Sequence, residues 1–417
     1  MTRVALLHYS CPPVVGGVEE VVRHQAQVLA QHGHEARVVS GDGGTTDGAD
    51  TLARGGVTVR LHPLLASGAP EAVAAAAEGT SAALDRVCAQ VEAVLDEALH
   101  GTDVVFAHNV LCMPFNLPLT VAVRRIAARG DSERPAVIGW NHDSPYFYPN
   151  YDRRLDRHPW RVLRDAAPTV RWVTISQTRA LEFARLYDGF CPQVVPNGID
   201  PHSFLKLEPS ISTLVREERL FAADLVLVQP TRLHPRKNIE LSLHVLAALR
   251  DRDVDARLVV TGPPDPHDPA AAGYASSLHG LVVRLHLTDA VVVLGDHVLA
   301  DGRPVTVSQV AIRDLYQVAD VLFLPSLSEG FGLPLLEASL SRLPVACADI
   351  PSLREITGHH AYRFPLDHPP EQIAAEMLTY LDTLESHKLH HRVVRGYTWE
   401  HIYRAHIRGL LSEATGS

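Results

Sequence analysis

Lysine is nearly missing from this chain: of 38 basic side chains in 417 residues, only Lys206, Lys237 and Lys388 are lysines. Against 48 acidic groups the formal net charge is -10, and no stretch concentrates Lys or Arg. That balance argues against nucleic acid or an anionic membrane as the main partner, since both demand a basic face. Cysteine is sparse too. Cys11, Cys88, Cys112, Cys191 and Cys347 are odd in number and have no C-x-x-C spacing, which excludes a disulfide framework and a zinc knuckle. Apolar runs are short. None reaches the length of a membrane span, and the first, at 4–7, is too short for a signal-peptide core, so a cytoplasmic protein is expected. What the chain does hold is apolar material in ordinary amount, 46% hydrophobic against 21% charged. That is enough for packed cores, and at this length two domains are expected.

Short runs rich in Val, Ile and Leu alternate with longer stretches of helical period, the pattern of parallel sheets buried on both faces. A first series lies at 4–7, 36–40, 57–61, 104–107, 136–140 and 170–175, interrupted by a Gly/Asp/Thr loop at 41–50 and an Ala-rich helical stretch at 70–100. A second lies at 225–229, 257–261, 291–294, 321–324 and 345–348, with helices expected at 239–250, 272–285 and 333–341. The turn-forming Pro196, Asn197 and Gly198 mark the boundary, followed by a linker at 201–210. The expected fold class is therefore α/β, with two doubly wound Rossmann-like domains. The first takes residues 1–200 with a terminal helix at 398–417, and the second takes residues 201–397.

Three loops carry candidate chemistry. After the first strand, Gly16 and Gly17 stand where a helix begins, a place where bare backbone N–H groups and the helix dipole suit a phosphate. A tight turn explains those glycines equally well, because the full G-x-G-x-x-G fingerprint is absent. After the run at 225–229, Arg232 and Lys237 place a guanidinium and an ammonium at a strand's carboxyl end, where open α/β sheets bind ligands. After the run at 321–324 comes Glu329, then Gly330, Phe331, Gly332 and Leu333, then Glu337, with seven residues between the two glutamates. Glu329 is expected in the loop and Glu337 on the first turns of the following helix, so both carboxylates can accept hydroxyls in one crevice.

The Glu329 to Glu337 stretch with its Gly-Phe-Gly-Leu-Pro core resembles the E-x7-E signature of retaining glycosyltransferases of family 4, which have the GT-B fold. Gly16 to Glu19, Val195 to Asp200, Arg232 with Lys237, Leu315 with Tyr316, and Ala319 with Asp320 resemble that family in order and position. The resemblance implies two domains facing a central cleft and transfer of a sugar from a nucleotide-sugar donor, UDP- or GDP-linked, to an acceptor hydroxyl. It implies that Arg232 and Lys237 hold the donor diphosphate, that Glu337 binds the ribose and that Glu329 contacts the sugar. Backbone groups of Gly330, Phe331, Gly332 and Leu333 would meet sugar and phosphate, Gly17 would close over the diphosphate, and the base would lie near Thr261, Gly262, Gly295 and Asp296. His142 matches a family histidine facing the reacting sugar, and His108 with Asn109 ends the preceding strand as either an acceptor-side lining or a cap.

No cofactor beyond the donor is expected. No metal is expected either: His32 with His34, and the run from His387 to His391, have no carboxylate or cysteine partners close in sequence. The acidic balance points to a small soluble acceptor rather than a lipid. The oligomeric state is not legible. Competing functions are a nucleotide-sugar epimerase of the same fold, a non-catalytic nucleotide-sugar-binding protein, and a glycan phosphorylase needing a lysine-held pyridoxal phosphate. A binding protein would be expected to have lost Glu329 or Lys237, and both are present.

Overall fold

The computed structural model describes residues 1–43, 52, 55–78, 80–129, 135–263 and 271–416. Two compact units divide the chain: residues 1–200 with 396–417, and residues 201–395. The first holds strands β1 (Arg3–Ser10), β2 (Glu35–Asp42), β3 (Thr58–Leu61), β4 (Val104–His108), β5 (Ala136–Asn141), β6 (Arg171–Thr174) and β7 (Gln193–Val194). The second holds β8 (Leu225–Gln229), β9 (Ala256–Val260), β10 (Val291–Val293), β11 (Val321–Leu324), β12 (Val345–Ala348) and β13 (Tyr362–Phe364).

Each unit is one parallel sheet. The orders are β3-β2-β1-β4-β5-β6-β7 and β10-β9-β8-β11-β12-β13. Strand order therefore reverses beside β1 and β4 in the first sheet, and beside β8 and β11 in the second. A parallel sheet needs apolar residues on both faces because its crossover helices cover both. β1 shows this directly, with Ala5, Leu7 and Tyr9 in one core and Val4 and Leu6 in the other. β8 repeats it: Leu225 and Leu227 pack on one side, Val226 and Val228 on the other.

Several expectations are revised. The stretch 201–210 is not a linker: it forms a helical turn, Pro201–Phe204, and leads into the helix Pro209–Glu217. Leu207 is buried in the second unit's core, and the Glu208 amide donates to Asp314 at 2.6 Å. β13 was not anticipated, because three residues with Arg363 in the middle carry too little apolar pattern to read as a strand. The Ala-rich stretch is two helices, Pro70–Glu78 and Ser81–Ala98. Residues 44–50 of the expected Gly/Asp/Thr loop lie outside the described residues.

The last segment, from Trp399 onward, belongs to the first unit. Trp399, Ile402, Ile407 and Leu410 are buried with Val21, Val22 and Leu29 of the helix Gly17–Gln31. Trp399 sits so close to Gly198 that a Cβ there would lie 2.8 Å from the indole, which explains a glycine at that turn. Among the described residues no helix is long and apolar enough to cross a membrane.

Candidate functional site

In the second unit, the loop after β8 and the loop after β11 leave the sheet side by side at the point of strand reversal, where doubly wound sheets bind ligands. Gln229, fully buried at the end of β8, organises the first loop: its side-chain amide donates to the Lys237 carbonyl at 2.9 Å, and it accepts from Ser242 at 2.7 Å. Asn238 adopts a left-handed conformation with φ 52, tolerable for asparagine, and donates to the Pro325 carbonyl at 3.1 Å. The Leu327 amide donates to the Arg236 carbonyl at 2.9 Å. These bonds tie the two loops into one frame.

Within that frame the Lys237 ammonium lies 2.5 Å from Glu329 Oε1, and Ser326 donates to the same oxygen at 2.7 Å. Both charged side chains are largely covered, at 17% and 11% exposure. A covered ion pair with a second donor on the carboxylate holds its geometry far better than an exposed one, so the ammonium is fixed in place. Arg232 is exposed on the same loop. Gly262 packs against that turn so tightly that a Cβ would lie 2.3 Å from the Thr231 carbonyl oxygen. Gly295 abuts Pro263 in the same way. The loops after β8, β9 and β10 thus meet at one end of the sheet.

The helix Leu333–Leu340 starts at Gly332, whose φ of 107 is unfavourable for any side chain, and where a Cβ would strike Leu353 at 2.8 Å. Gly330 differs, with nothing within 4 Å of an added Cβ, so its backbone is open. Phe331 and Leu333 are exposed. Glu337 is exposed one turn into the helix, and the Tyr316 hydroxyl donates to its Oε2 at 2.7 Å. Tyr316 itself is buried, and burial followed by the Glu337 carboxylate pushes its phenol far above its usual range. It remains a neutral donor that orients the carboxylate. Asn238 and Tyr316 were missed as site residues because each acts through a partner distant in sequence, and Ser326 and Gln229 because each acts by holding a neighbouring loop residue in place.

In the first unit, His8 at the end of β1, His108 at the end of β4 and His142 just after β5 gather beside the strand reversal. His108 Nδ1 and His142 Nε2 are 3.0 Å apart. His8 Nδ1 donates to the His108 carbonyl at 2.8 Å. Asn109, left-handed with φ 59, accepts from the His142 amide at 2.7 Å and so fixes its backbone. His142 is 7% exposed, and burial, then the neighbouring His8, pushes its pKa down to about 3. Burial also holds His108 well below the usual range, and His8 below it to a lesser degree. So weak a base carries no proton at neutral pH, which leaves His142 a neutral hydrogen-bonding group. His8 was not anticipated; it could have been read from its place at the first strand's end.

The helix Gly17–Gln31 begins with Gly16 as its cap, but the Glu19 carboxylate folds back over Gly16, and a Cβ there would lie 2.0 Å from Glu19 Oε2. Glu19 also accepts from Ser10 at 2.5 Å and stands 3.8 Å from His8 Nε2. An acidic group thus holds the place expected for a phosphate beside Gly16. Gly17 is open, with nothing within 4 Å of an added Cβ.

Comparison with known proteins fits this two-unit frame. Residues 15–203 match the family model Glycosyltransferase Family 4, and residues 211–395 match Glycosyl transferases group 1. With both matches in chain order on two parallel-sheet α/β units, the chain belongs with the glycosyltransferases of GT-B type. A D-inositol 3-phosphate glycosyltransferase of Streptomyces bingchenggensis is 33% identical over 152 residues, 35% of this chain and 30% of that one. The O-antigen chain mannosyltransferase RfbU of Salmonella typhimurium is 37% identical over 109 residues, 26% of this chain and 28% of that one. The chain thus spans less than a third of the length of either curated relative. Among solved structures, Anabaena Alr3699/HepE in complex with UDP and glucose is similar at 18% identity and a TM-score of 0.37, over 99% of this chain and 100% of that one.

Proposed function

We propose that the chain transfers a sugar from a nucleotide-sugar donor, UDP- or GDP-linked, to an acceptor hydroxyl with retention of anomeric configuration. The observation that carries this reading is the Lys237–Glu329 pair, fixed 2.5 Å apart at the strand reversal of the second sheet beside the helix bearing Glu337. Cleaving a sugar–diphosphate bond builds negative charge on the leaving oxygen and positive oxocarbenium character on the sugar. Arg232 and Lys237 serve the first, aided by the positive end of the helix Leu333–Leu340. Glu329 accepts from sugar hydroxyls, with backbone amides of the 330–333 segment beside it. Glu337, oriented by Tyr316, accepts from the ribose hydroxyls, and the base lies near Gly262 and Gly295.

The acceptor hydroxyl attacks from the face the diphosphate leaves, and its proton passes to the departing phosphate oxygen, so no protein base is required. His142 supplies a neutral hydrogen bond to a sugar hydroxyl, in keeping with its depressed basicity. Fixed cationic groups supply the charge that a divalent ion supplies in other transferases, so the transfer step is proposed to be metal-independent. The protein is proposed to act in the cytoplasm on a small soluble acceptor.

The test is thermal stabilisation by UDP-, GDP- and ADP-sugars, followed by product analysis with acceptor panels. A donor binding only the folded state must raise its stability by mass action. The reading expects one donor to stabilise the protein, no gain in donor affinity or turnover from added Mg2+, and loss of the response in Glu337→Ala and Lys237→Ala. Donor isomerised without acceptor would instead identify an epimerase, and binding without turnover on any acceptor a sensor. No response to any nucleotide sugar would refute donor binding altogether.

A further inference from the structure

His387 and His391 lie one turn apart on the helix Glu385–Gly396, and Asp320 stands just before β11. One ligand atom from each of the three lies within 4.8 Å of the others. The His387 and His391 ring centroids are 4.3 Å apart. His391 Nε2 approaches Asp320 Oδ1 to 2.7 Å, yet that nitrogen makes no hydrogen bond among the described residues. No hydrogen bond therefore commits the His391 nitrogen to the carboxylate, which leaves both atoms as candidate ligand atoms. The other carboxylate oxygen, Oδ2, accepts from the Val226 amide at 2.7 Å, which turns Oδ1 toward the imidazoles. Such outer bonds are what orient ligands in metal sites. Beside them a cavity of about 10 Å³, the room one water needs, is lined in part by Asp320, His390 and His391.

We propose that Asp320, His387 and His391 bind one divalent transition-metal ion, zinc or a surrogate such as cobalt, with a water from the adjoining cavity completing a four-coordinate site. Two imidazoles and a carboxylate are a donor set that suits these ions. Arg395 also lines the cavity, but its charge is engaged by Asp224 at 3.0 Å and by the Ala223 carbonyl. The role is structural. Asp320 precedes β11 and so lies at the opposite end of the sheet from the loops that follow β8 and β11. The helix Glu385–Gly396 buries none of its residues, so apolar packing does little to hold it, and the metal would pin it to the sheet. The histidine run alone lacked a carboxylate; the fold brings Asp320 to it.

The experiment uses the full chain, stripped with EDTA and exchanged into chelator-free buffer, with no donor or acceptor present, so its outcome is independent of the proposed transferase activity. Titration with Co2+ is expected to give one ion per chain with the intense visible bands of four-coordinate cobalt, displaced by Zn2+. Affinity should fall at least about ten-fold in His387→Ala and in His391→Ala, both checked for folding by far-UV circular dichroism, and should be unchanged in His32→Ala. Hydrogen exchange in residues 385–396 should slow on zinc addition. Failure to saturate at one ion per chain, binding that survives both histidine substitutions, or unchanged exchange would overturn the proposal.

Discussion

Acid should loosen the first unit through its buried histidines, and the share carried by His142 can be isolated. In the unfolded chain this imidazole titrates near its ordinary value of 6.5; in the folded unit, burial and His8 push it down to about 3. The unfolded state therefore binds more protons between those values. Stability conferred by a neutral buried ring is fully present above pH 6.5 and is lost as pH falls toward 3. Full protonation penalty over that window is about 5 kcal/mol, and between pH 7.5 and pH 5 this group alone removes about 2 kcal/mol. The chain offers a clean probe. All four tryptophans, Trp140, Trp160, Trp172 and Trp399, fall within the first unit, so tryptophan emission reports its unfolding alone. Urea titrations at pH 7.5 and pH 5 should show the drop in the native protein. In His142→Gln, which keeps a hydrogen-bonding amide but cannot titrate, the drop should shrink by about 2 kcal/mol. An equal fall in the variant, within about 0.5 kcal/mol, would refute the argument.

Three further outcomes are expected. Glu329→Gln removes the charge that fixes Lys237; losing a charge-assisted bond of about 1.5–3 kcal/mol should lower kcat/KM by about one to two orders of magnitude, read with saturating acceptor. Tyr316→Phe leaves Glu337 unoriented and should weaken donor binding about three- to ten-fold in calorimetry, with kcat less affected than KM. Gly332→Ala forces a side chain onto a backbone with φ 107 and against Leu353. It should destabilise the second unit by about 1–3 kcal/mol in scanning calorimetry, leaving the tryptophan-reported transition of the first unit in place.

Much of this was legible in the residues because parallel strands announce themselves. The runs at 225–229, 321–324 and 345–348 coincide with β8, β11 and β12, since a strand covered on both faces is continuously apolar and bounded by polar loops. The helix at 239–250 was equally plain, and so were the loops carrying Arg232, Lys237, Glu329 and Glu337, because glycine and charge at a strand's carboxyl end stand out against that background. What escaped was short or cooperative. β13 has three residues and no pattern, and 201–210 reads as a linker until Leu207 is seen buried.

The sequence by itself determined two doubly wound units, their strand order of appearance and the loops that bear the candidate chemistry, because periodicity and turn composition are local properties. Only the tertiary structure decided which side chains meet. Lys237 pairs with Glu329, Tyr316 orients Glu337, Glu19 covers Gly16, and His8, His108 and His142 share one buried cluster. Asp320 reaches His387 and His391 across the second unit. Apart from Glu19 over Gly16, a contact within one helical turn, each of these meetings joins residues set by strand order and crossover rather than by spacing along the chain. Burial at those meetings then sets charge: an imidazole ordinary in sequence becomes a neutral hydrogen-bonding group once the fold removes it from water.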